Sequence, residues 1–360
     1  MLSGVKIRVG ILFGGMSAES GISARSAANV LAAIDRDRFD PVPIGIGEDG
    51  RWRLTGDSAS FDEDRGTVAV FPGCDAPFRA FPADCGSGQA VDLALDVVFP
   101  VLHGPFGEDG TVQGLLRLAG IPFVGSGVLA SAVGMDKIAM KMFFRDAGIP
   151  AGGFLGFRSR AAVPPFAEIE AALGNPVFVK PANMGSSIGI GRAHDAAGFA
   201  VAVDEAFRHD SGIIVEECVR GREIECAVLG NADTIASVPG EIIPRDGFYS
   251  YDAKYVDGNG AEFEVPARLD PGVSERVRSL SIEAFRLLGC AGLARVDFFV
   301  RGGEVLVNEI NTIPGFTDIS MYPRLWEASG IGRAELVTRL IALAMPPADR
   351  RVPMPPACSP

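Results

Sequence analysis

Residues able to do chemistry gather in one short stretch. Ala294-Arg295-Val296-Asp297-Phe298-Phe299-Val300 leads through Arg301-Gly302-Gly303 into Val305-Leu306-Val307-Asn308-Glu309-Ile310-Asn311. Two β-rich runs around a glycine pair predict a hairpin. Alternation puts Arg295 and Asp297 on one face of the first strand, and Glu309 and Asn311 on one face of the second. Antiparallel pairing then brings Glu309 within about two positions of Asp297. Two carboxylates and a carboxamide beside an arginine form a hard-oxygen set suited to Mg²⁺ carrying nucleotide phosphates. The competing reading is a solvated sheet face, which the apolar residues on the opposite face also allow. Like charges this close would raise a carboxyl pKa unless a cation lay between them.

A second group surrounds Lys180, which ends an apolar run and precedes Pro181-Ala-Asn-Met-Gly185-Ser186-Ser187-Ile-Gly189-Ile-Gly191. Backbone amides and hydroxyls of such a loop can close over phosphates; the alternative is a flexible hairpin loop with a surface lysine. Lys137 stands in a mainly apolar helix, as a phosphate ligand or as a snorkelling surface side chain.

The elements that must position these groups follow from hydrophobic periodicity. Residues 7–13 read as a buried strand, Gly14-Gly15 as a turn and residues 24–34 as a helix. A second apolar run, 97–102, leads to a glycine-rich loop and a helix over 112–118. Together they predict an open parallel sheet through residue 125, with residues 56–90, rich in Gly, Pro, Asp and Ser, as a surface insertion. A helix over 136–147, strands at 177–180 and 212–217 and a helix over 196–206 define a second domain, 126–216. Strands at 223–229, 292–300 and 304–310 with a helix at 272–288 define a third, 217–346, followed by a proline-rich flexible tail, 347–360. No internal repeat is present.

Composition excludes several classes. A chain of 360 residues with 48% hydrophobic and 22% charged residues is that of a folded multidomain protein. Its 33 Lys plus Arg against 45 Asp plus Glu, a formal charge of −12, argues against nucleic acid as a partner. Any bound phosphate must be held by local cations, amides or a metal. The 6 cysteines show no C-x-x-C, and only 3 histidines are present; this favours a reducing cytoplasm and a hard, oxygen-bound metal over zinc. The apolar run after Lys6 and Arg8 is too short for a signal peptide or a membrane span, so a soluble, unexported protein is expected.

Two dinucleotide-like motifs fail on context. Gly45-Ile-Gly-Glu-Asp-Gly50 would face a pyrophosphate with Glu48 and Asp49 and continues as a strand. Gly125-Ser-Gly-Val-Leu-Ala130 precedes a helix, with Ser126 a plausible cap, but follows only Phe123-Val124.

Seven segments in order carry a resemblance: Gly14-Gly-Met-Ser-Ala-Glu19, His103-Gly-Pro-Phe-Gly-Glu-Asp-Gly110, Met135-Asp-Lys137, Lys180 to Ser187, Gly221-Arg-Glu-Ile-Glu-Cys226, Phe248-Tyr-Ser-Tyr-Asp-Ala-Lys-Tyr255 and Asn308-Glu-Ile-Asn-Thr-Ile-Pro-Gly315. The set resembles the D-alanine-D-alanine ligase family over about residues 5–345. It implies an α/β fold, α+β in parts: an ATP-grasp fold with an N-terminal Rossmann-like parallel-sheet domain and two ATP-grasp subdomains. It further implies ATP as co-substrate, two Mg²⁺ or Mn²⁺ ions, and a cytoplasmic homodimer that makes D-alanyl-D-alanine for peptidoglycan.

By this resemblance Lys137, Lys180 and Ser187 would hold ATP phosphates, Glu216, Glu217 and Val219 the adenine, and Glu223 the ribose. Asp297, Glu309 and Asn311 would bind the metals. Glu19 would receive the first D-alanine's ammonium, linked through Ser186 to Tyr255, with His103 near that substrate's carboxylate and Lys254 also contacting substrate. Arg295 and the Gly315 N–H would stabilise the oxyanion, and Ser320 and Met321 would receive the second carboxylate. Ser20-Gly21 stands where the family usually has a basic then an acidic residue, Met184 where it has a polar one, and Glu217 where Lys or Gln is common. D-lactate ligases of the family carry a histidine at the Tyr255 loop, so tyrosine favours D-alanine as nucleophile. A D-lactate- or D-serine-using ligase and a non-catalytic nucleotide-binding regulator are the alternatives.

Overall fold

The computed structural model describes residues 6–56, 59–61, 63–81, 90–244 and 260–345. Lys254, Tyr255 and the tail 347–360 lie outside them.

The first unit is a sheet of seven strands: β1 (Ile7–Gly14), β2 (Phe39–Ile46), β3 (Trp52–Leu54), β4 (Thr67–Val70), β5 (Phe78–Phe81), β6 (Val91–Asp92) and β7 (Val97–Pro100), in the order β6-β5-β4-β3-β2-β1-β7. Only β2, β1 and β7 run parallel; β2 through β6 form an antiparallel meander. The expected all-parallel sheet is therefore mixed. The expected surface insertion contributes two of its strands, β4 and β5. Short strands with half-buried faces, such as Phe78-Arg79-Ala80-Phe81, need few apolar residues and are hidden among turn formers.

Helix α1 (Ser20–Ala33) covers one face of this sheet, and α2 (Thr111–Leu118) covers the other. Val9, Ile11 and Phe13 of β1 pack with α1, while Leu12 points to the α2 side, as alternation requires. Helix α3 (Val128–Met135) starts at Gly127 with no side-chain cap; the Ser126 hydroxyl instead accepts from the Ala291 N–H at 3.3 Å.

The second sheet runs β10-β9-β11-β8, built from β8 (Phe154–Phe157), β9 (Val177–Pro181), β10 (Gly191–Ala193) and β11 (Ile213–Glu217). Helices α4 (Lys137–Asp146), α5 (Phe166–Leu173) and α6 (Ala196–His209) accompany it. Asp136 caps α4, its carboxylate accepting from Ala139 N–H at 2.9 Å, and it is clamped by Arg158 at 2.7 and 2.9 Å.

The third sheet comprises β12 (Arg222–Gly230), β13 (Ile235–Ala236), β14 (Gly240–Pro244), β15 (Ala261–Glu264), β16 (Gly292–Arg301) and β17 (Glu304–Asn311). Its order is β15-β14-β12-β16-β17, with β13 paired to β12. Helix α7 (Pro271–Leu287) packs on one face. Helices α8 (Met321–Ala328) and α9 (Arg333–Ala344) pack on the other, and Tyr322, Trp326, Leu336 and Leu340 share one core with Val9 and Phe13 of the first sheet. That shared core fixes the loop after β17 against the C-terminal end of β1.

Candidate active site

The β16–β17 hairpin forms as the alternation requires. Asp297 pairs directly with Glu309 and Arg295 with Asn311, closer than the two-position offset allowed from sequence. The register shifts between Asp297 and Phe298, leaving Asn308 as the extra residue of a bulge; such bulges re-aim side chains beside functional sites. Val296 and Ile310 are buried on the opposite face.

Arg295 grips Asp297 through two hydrogen bonds of 2.7 Å and lies 3.0 Å from Glu225 on β12. Asn311 donates to the same Asp297 carboxylate at 3.0 Å. Burial alone would lower the Arg295 pKa, but Asp297, Glu225 and Glu309 outweigh it and hold the guanidinium firmly charged. Among the described residues no three carboxylate, imidazole or thiolate groups form a metal cage. The oxygen donors of Asp297, Glu309 and Asn311 still fit Mg²⁺, which takes one or two carboxylates and completes its shell with water and phosphate oxygens.

Between the second and third sheets lies a cavity of about 680 Å³, within the range of small-molecule sites. Lys137, Lys180, Ser187, Glu217, Val219 and Glu223 line it. Lys180, at the end of β9, contacts Glu216 at 2.5 Å, and Glu216 also contacts Lys141 at 3.0 Å. Burial would raise the Glu216 pKa and lower that of Lys180. The charges prevail: Lys141 and Lys180 hold the carboxyl well below its usual range, and Glu216, Glu309 and Glu223 hold the Lys180 ammonium above its own. The Glu217 carboxylate accepts from Gly153 N–H at 3.1 Å.

Lys137, at the start of α4, donates to the Met184 carbonyl at 2.6 Å, so it touches the glycine-serine loop directly. Asp210 anchors the base of that loop by accepting from the Asn183 backbone and side chain at 2.7 and 2.9 Å. Ser186 and Ser187 both adopt left-handed backbone, φ 52 and 61, a conformation costing non-glycine residues about 1–2 kcal/mol each.

A second cleft adjoins the first and shares Lys137, Ser186, Asn308 and Glu309 with it. Glu19, buried at the N-terminus of α1, accepts a short hydrogen bond from Ser186. A Cβ at Gly104 would stand 2.7 Å from its carboxylate and one at Gly185 3.2 Å away, so two glycines open the space it occupies. His103 is buried, 3.3 Å from the Ser26 hydroxyl. Burial lowers its pKa against the opposing pull of Glu19, favouring neutral imidazole.

Gly315 faces the cleft where a Cβ would meet the Ser320 hydroxyl at 2.7 Å. Ser320 accepts from Thr317 N–H at 3.0 Å and precedes α8. The Met321 side chain is in the core, so what it offers the cleft is its backbone N–H in the first turn of α8.

Sequence reasoning missed Lys141, Glu225, Glu108 and Asn308. Lys141 carried a signal, since it follows Lys137 by one helical turn in a mainly apolar helix and so shares its face.

Three sheets with a ligand-sized cavity between the second and third, lysines on one wall and a carboxylate hairpin on the other, define the ATP-grasp class of α/β proteins. Family models named "D-ala D-ala ligase N-terminus" and "D-ala D-ala ligase C-terminus" match residues 8–126 and 143–342. The chain is 47% identical over 352 residues to D-alanine-D-alanine ligase A of Escherichia coli K12, covering 94% of this chain and 96% of that one. It is 48% identical over 354 residues to D-alanine-D-alanine ligase of Shouchella clausii, covering 94% and 95%. The solved D-alanine-D-alanine ligase of Coxiella burnetii superposes with a TM-score of 0.84 at 37% identity, covering 95% of this chain and 94% of that one. The D-Ala:D-Ser ligase of Enterococcus faecalis gives 0.83 at 35%, covering 94% and 100%. The chain belongs to the D-alanine-D-alanine ligase family.

Proposed function

We propose that this protein joins two D-alanine molecules at the expense of ATP, through an acyl phosphate, to supply D-alanyl-D-alanine for peptidoglycan. The observation that carries the reading is the meeting of two clefts at Lys137, Ser186 and Glu309. A nucleotide in one and an amino acid in the other would place γ-phosphate and carboxylate together, and positioning is most of what phosphoryl transfer requires.

In this reading Lys137, Lys180 and Ser187 neutralise and orient the phosphates, Glu217 and Val219 border the adenine alongside Glu216, and Glu223 takes the ribose. Asp297, Glu309 and Asn311 would hold two Mg²⁺ or Mn²⁺ ions, which supply charge neutralisation at the transferring phosphoryl group. Glu19, oriented by Ser186, receives the first ammonium, and neutral His103 sits by the first carboxylate without adding charge. Attack by the second amine builds negative charge on the former carboxylate oxygen, where Arg295 and the Gly315 N–H serve as fixed donors. Ser320 and the Met321 N–H take the second carboxylate. Tyr255 and Lys254 complete the substrate side.

The division 1–125, 126–216 and 217–346 is proposed as the working domain organisation, since each range holds one sheet but for Glu217, the last residue of β11. A cytoplasmic homodimer is proposed from the family resemblance; no described helix is long and apolar enough to cross a membrane. Sedimentation of the pure protein tests the dimer.

The activity is tested by measuring ADP release from ATP and Mg²⁺ with D-alanine alone, with the dipeptide identified by mass. The Enterococcus faecalis neighbour makes D-serine the second candidate nucleophile, so equimolar D-serine and D-lactate are run as competitors. Release that ignores D-alanine defeats the ligase reading, and a mixed dipeptide as main product moves it to the neighbour's specificity.

A further inference from the structure

Glu225 has no part in the reaction as described, yet it lines the cleft that also holds Glu19 and Arg295. On β12 it pairs directly with Asp297 of β16, which pairs in turn with Glu309 of β17, so three carboxylate residues stand abreast across three strands. On its other flank the row continues with Gly240 of β14, which brings no side chain. The Glu225 side chain is 7% exposed, and a carboxylate at that depth is stable when a cation pairs with it. Arg295 supplies the cation. Its Nε lies 3.0 Å from Glu225 Oε2 and donates at 2.7 Å to Asp297 Oδ1, while its Nη2 donates at 2.7 Å to Asp297 Oδ2. The two Asp297 bonds tie the guanidinium to its own strand, and the Glu225 pair ties it to the neighbouring one. Directly opposite Arg295 on β12 is Ala227, whose methyl cannot pair with it, so the contact across the ladder falls to the diagonal neighbour Glu225.

We propose that Glu225 is a positioning residue that fixes the Arg295 guanidinium from the adjacent strand and so sets where it meets the oxyanion. The proposal rests on the ligase reading above, in which Arg295 stabilises that charge and Asp297 also serves the metal ions. Asp297 then has two claimants, and a guanidinium anchored by Asp297 alone would shift whenever that carboxylate turned toward a cation. Glu225, two strands from Glu309 and Asn311, holds the guanidinium in place through that change. Fixed donors help most where charge develops, and a misplacement of about 1 Å can cost up to about a hundredfold in rate.

The test compares Glu225→Ala and Glu225→Gln in the full chain, each alone and combined with Arg295→Gln. D-alanine-dependent dipeptide formation gives the kinetics, and calorimetry gives the affinity for a phosphinate analogue of the dipeptide, a stable tetrahedral anion. Glu225→Ala is expected to lower kcat about tenfold or more and to weaken phosphinate binding by a similar factor, while KM for ATP and for the first D-alanine stays within about twofold. Combined with Arg295→Gln, the same substitution should cost less than about a further twofold, because a residue acting through Arg295 then has nothing left to position. A purely architectural role would lower the melting temperature and raise both KM values together. Unchanged kcat in a folded Glu225→Ala, unchanged phosphinate affinity, or an equal loss with and without Arg295 overturns the proposal. Should the alanine variant fail to fold, Glu225→Gln decides, since it keeps the length and an acceptor oxygen but loses the charge: kcat should fall about threefold or more with ATP KM preserved, and full activity refutes the anchor. An unmodified protein that releases no ADP with D-alanine fails the ligase reading instead.

Discussion

Replacing Glu216 by Gln removes one negative charge from between two ammonium groups in a largely buried place. The contacts are 2.5 Å to Lys180 and 3.0 Å to Lys141, and the carboxylate side chain is 8% exposed. At an effective dielectric of about 20, each such contact is worth roughly 5–7 kcal/mol of Coulomb energy, most of it offset by desolvation of the three ions. What remains after the carboxylate is lost is the cost of two cations facing each other, about 3–5 kcal/mol for a broken buried pair. Lys180 keeps the fields of Glu309 and Glu223, which places the expectation at the lower end. An apparent melting temperature lower by about 4 °C is expected, read by scanning fluorimetry. The pH dependence follows from the sign of the shift. The folded carboxyl titrates below its ordinary 4.5, so its stabilisation is present above about pH 4.5 and is lost only as pH falls through the folded value. The gap between the two proteins should be flat from about pH 6 to 8 and close in acid. A variant that melts within about 2 °C of the unmodified protein at pH 7 would refute the view that Glu216 holds the two lysines.

Three further substitutions probe the clefts. Glu309→Gln should leave melting nearly unchanged and reduce ligation at least about a hundredfold, measured as kcat at saturating Mg²⁺; near-normal turnover removes Glu309 from the phosphoryl-transfer site. Lys180→Met should weaken binding of an ATP analogue by about tenfold or more in calorimetry and leave D-alanine affinity alone, since Glu216 keeps its contact with Lys141; equal nucleotide affinity contradicts the assignment. Gly104→Ala places a methyl 2.7 Å from the Glu19 carboxylate at φ +74, so KM for the first D-alanine should rise severalfold with KM for ATP unchanged, and unaltered D-alanine kinetics would show that Glu19 does not need that space.

The carboxylate hairpin was legible because its information is local. Alternation, a glycine turn and one apolar face are contained within residues 294–311 and bring Glu309 near Asp297, but a regular ladder from the Arg301–Glu304 pair would set Asp297 opposite Asn308, and the direct pairing with Glu309 comes from the bulge. The bulge at Asn308 was not legible, because regular alternation carries no mark of it. Lys180 and its loop were readable from strand-end position, whereas the Lys141–Glu216–Lys180 cluster joins α4, β9 and β11 and exists only after the sheet forms. The meander over residues 67–92 was misread for a different reason. Its strands are two to four residues long, too short for periodicity to show between Gly, Pro and Asp.

The hydrogen bond from Ser186 to Glu19 joins a loop of the second sheet to the first helix of the chain. In the proposed function its two ends serve different ligands, the loop phosphates and the carboxylate an ammonium. A bond of that kind makes the two occupancies thermodynamically linked: whatever nucleotide binding contributes to ordering the loop also orients Glu19, and an ammonium held by Glu19 must stabilise the loop by the same free energy. Affinity for nucleotide should therefore rise when the amino acid is present by the same factor as affinity for the amino acid rises with nucleotide. A single hydroxyl would thus let each cleft report that the other is filled before phosphate is transferred.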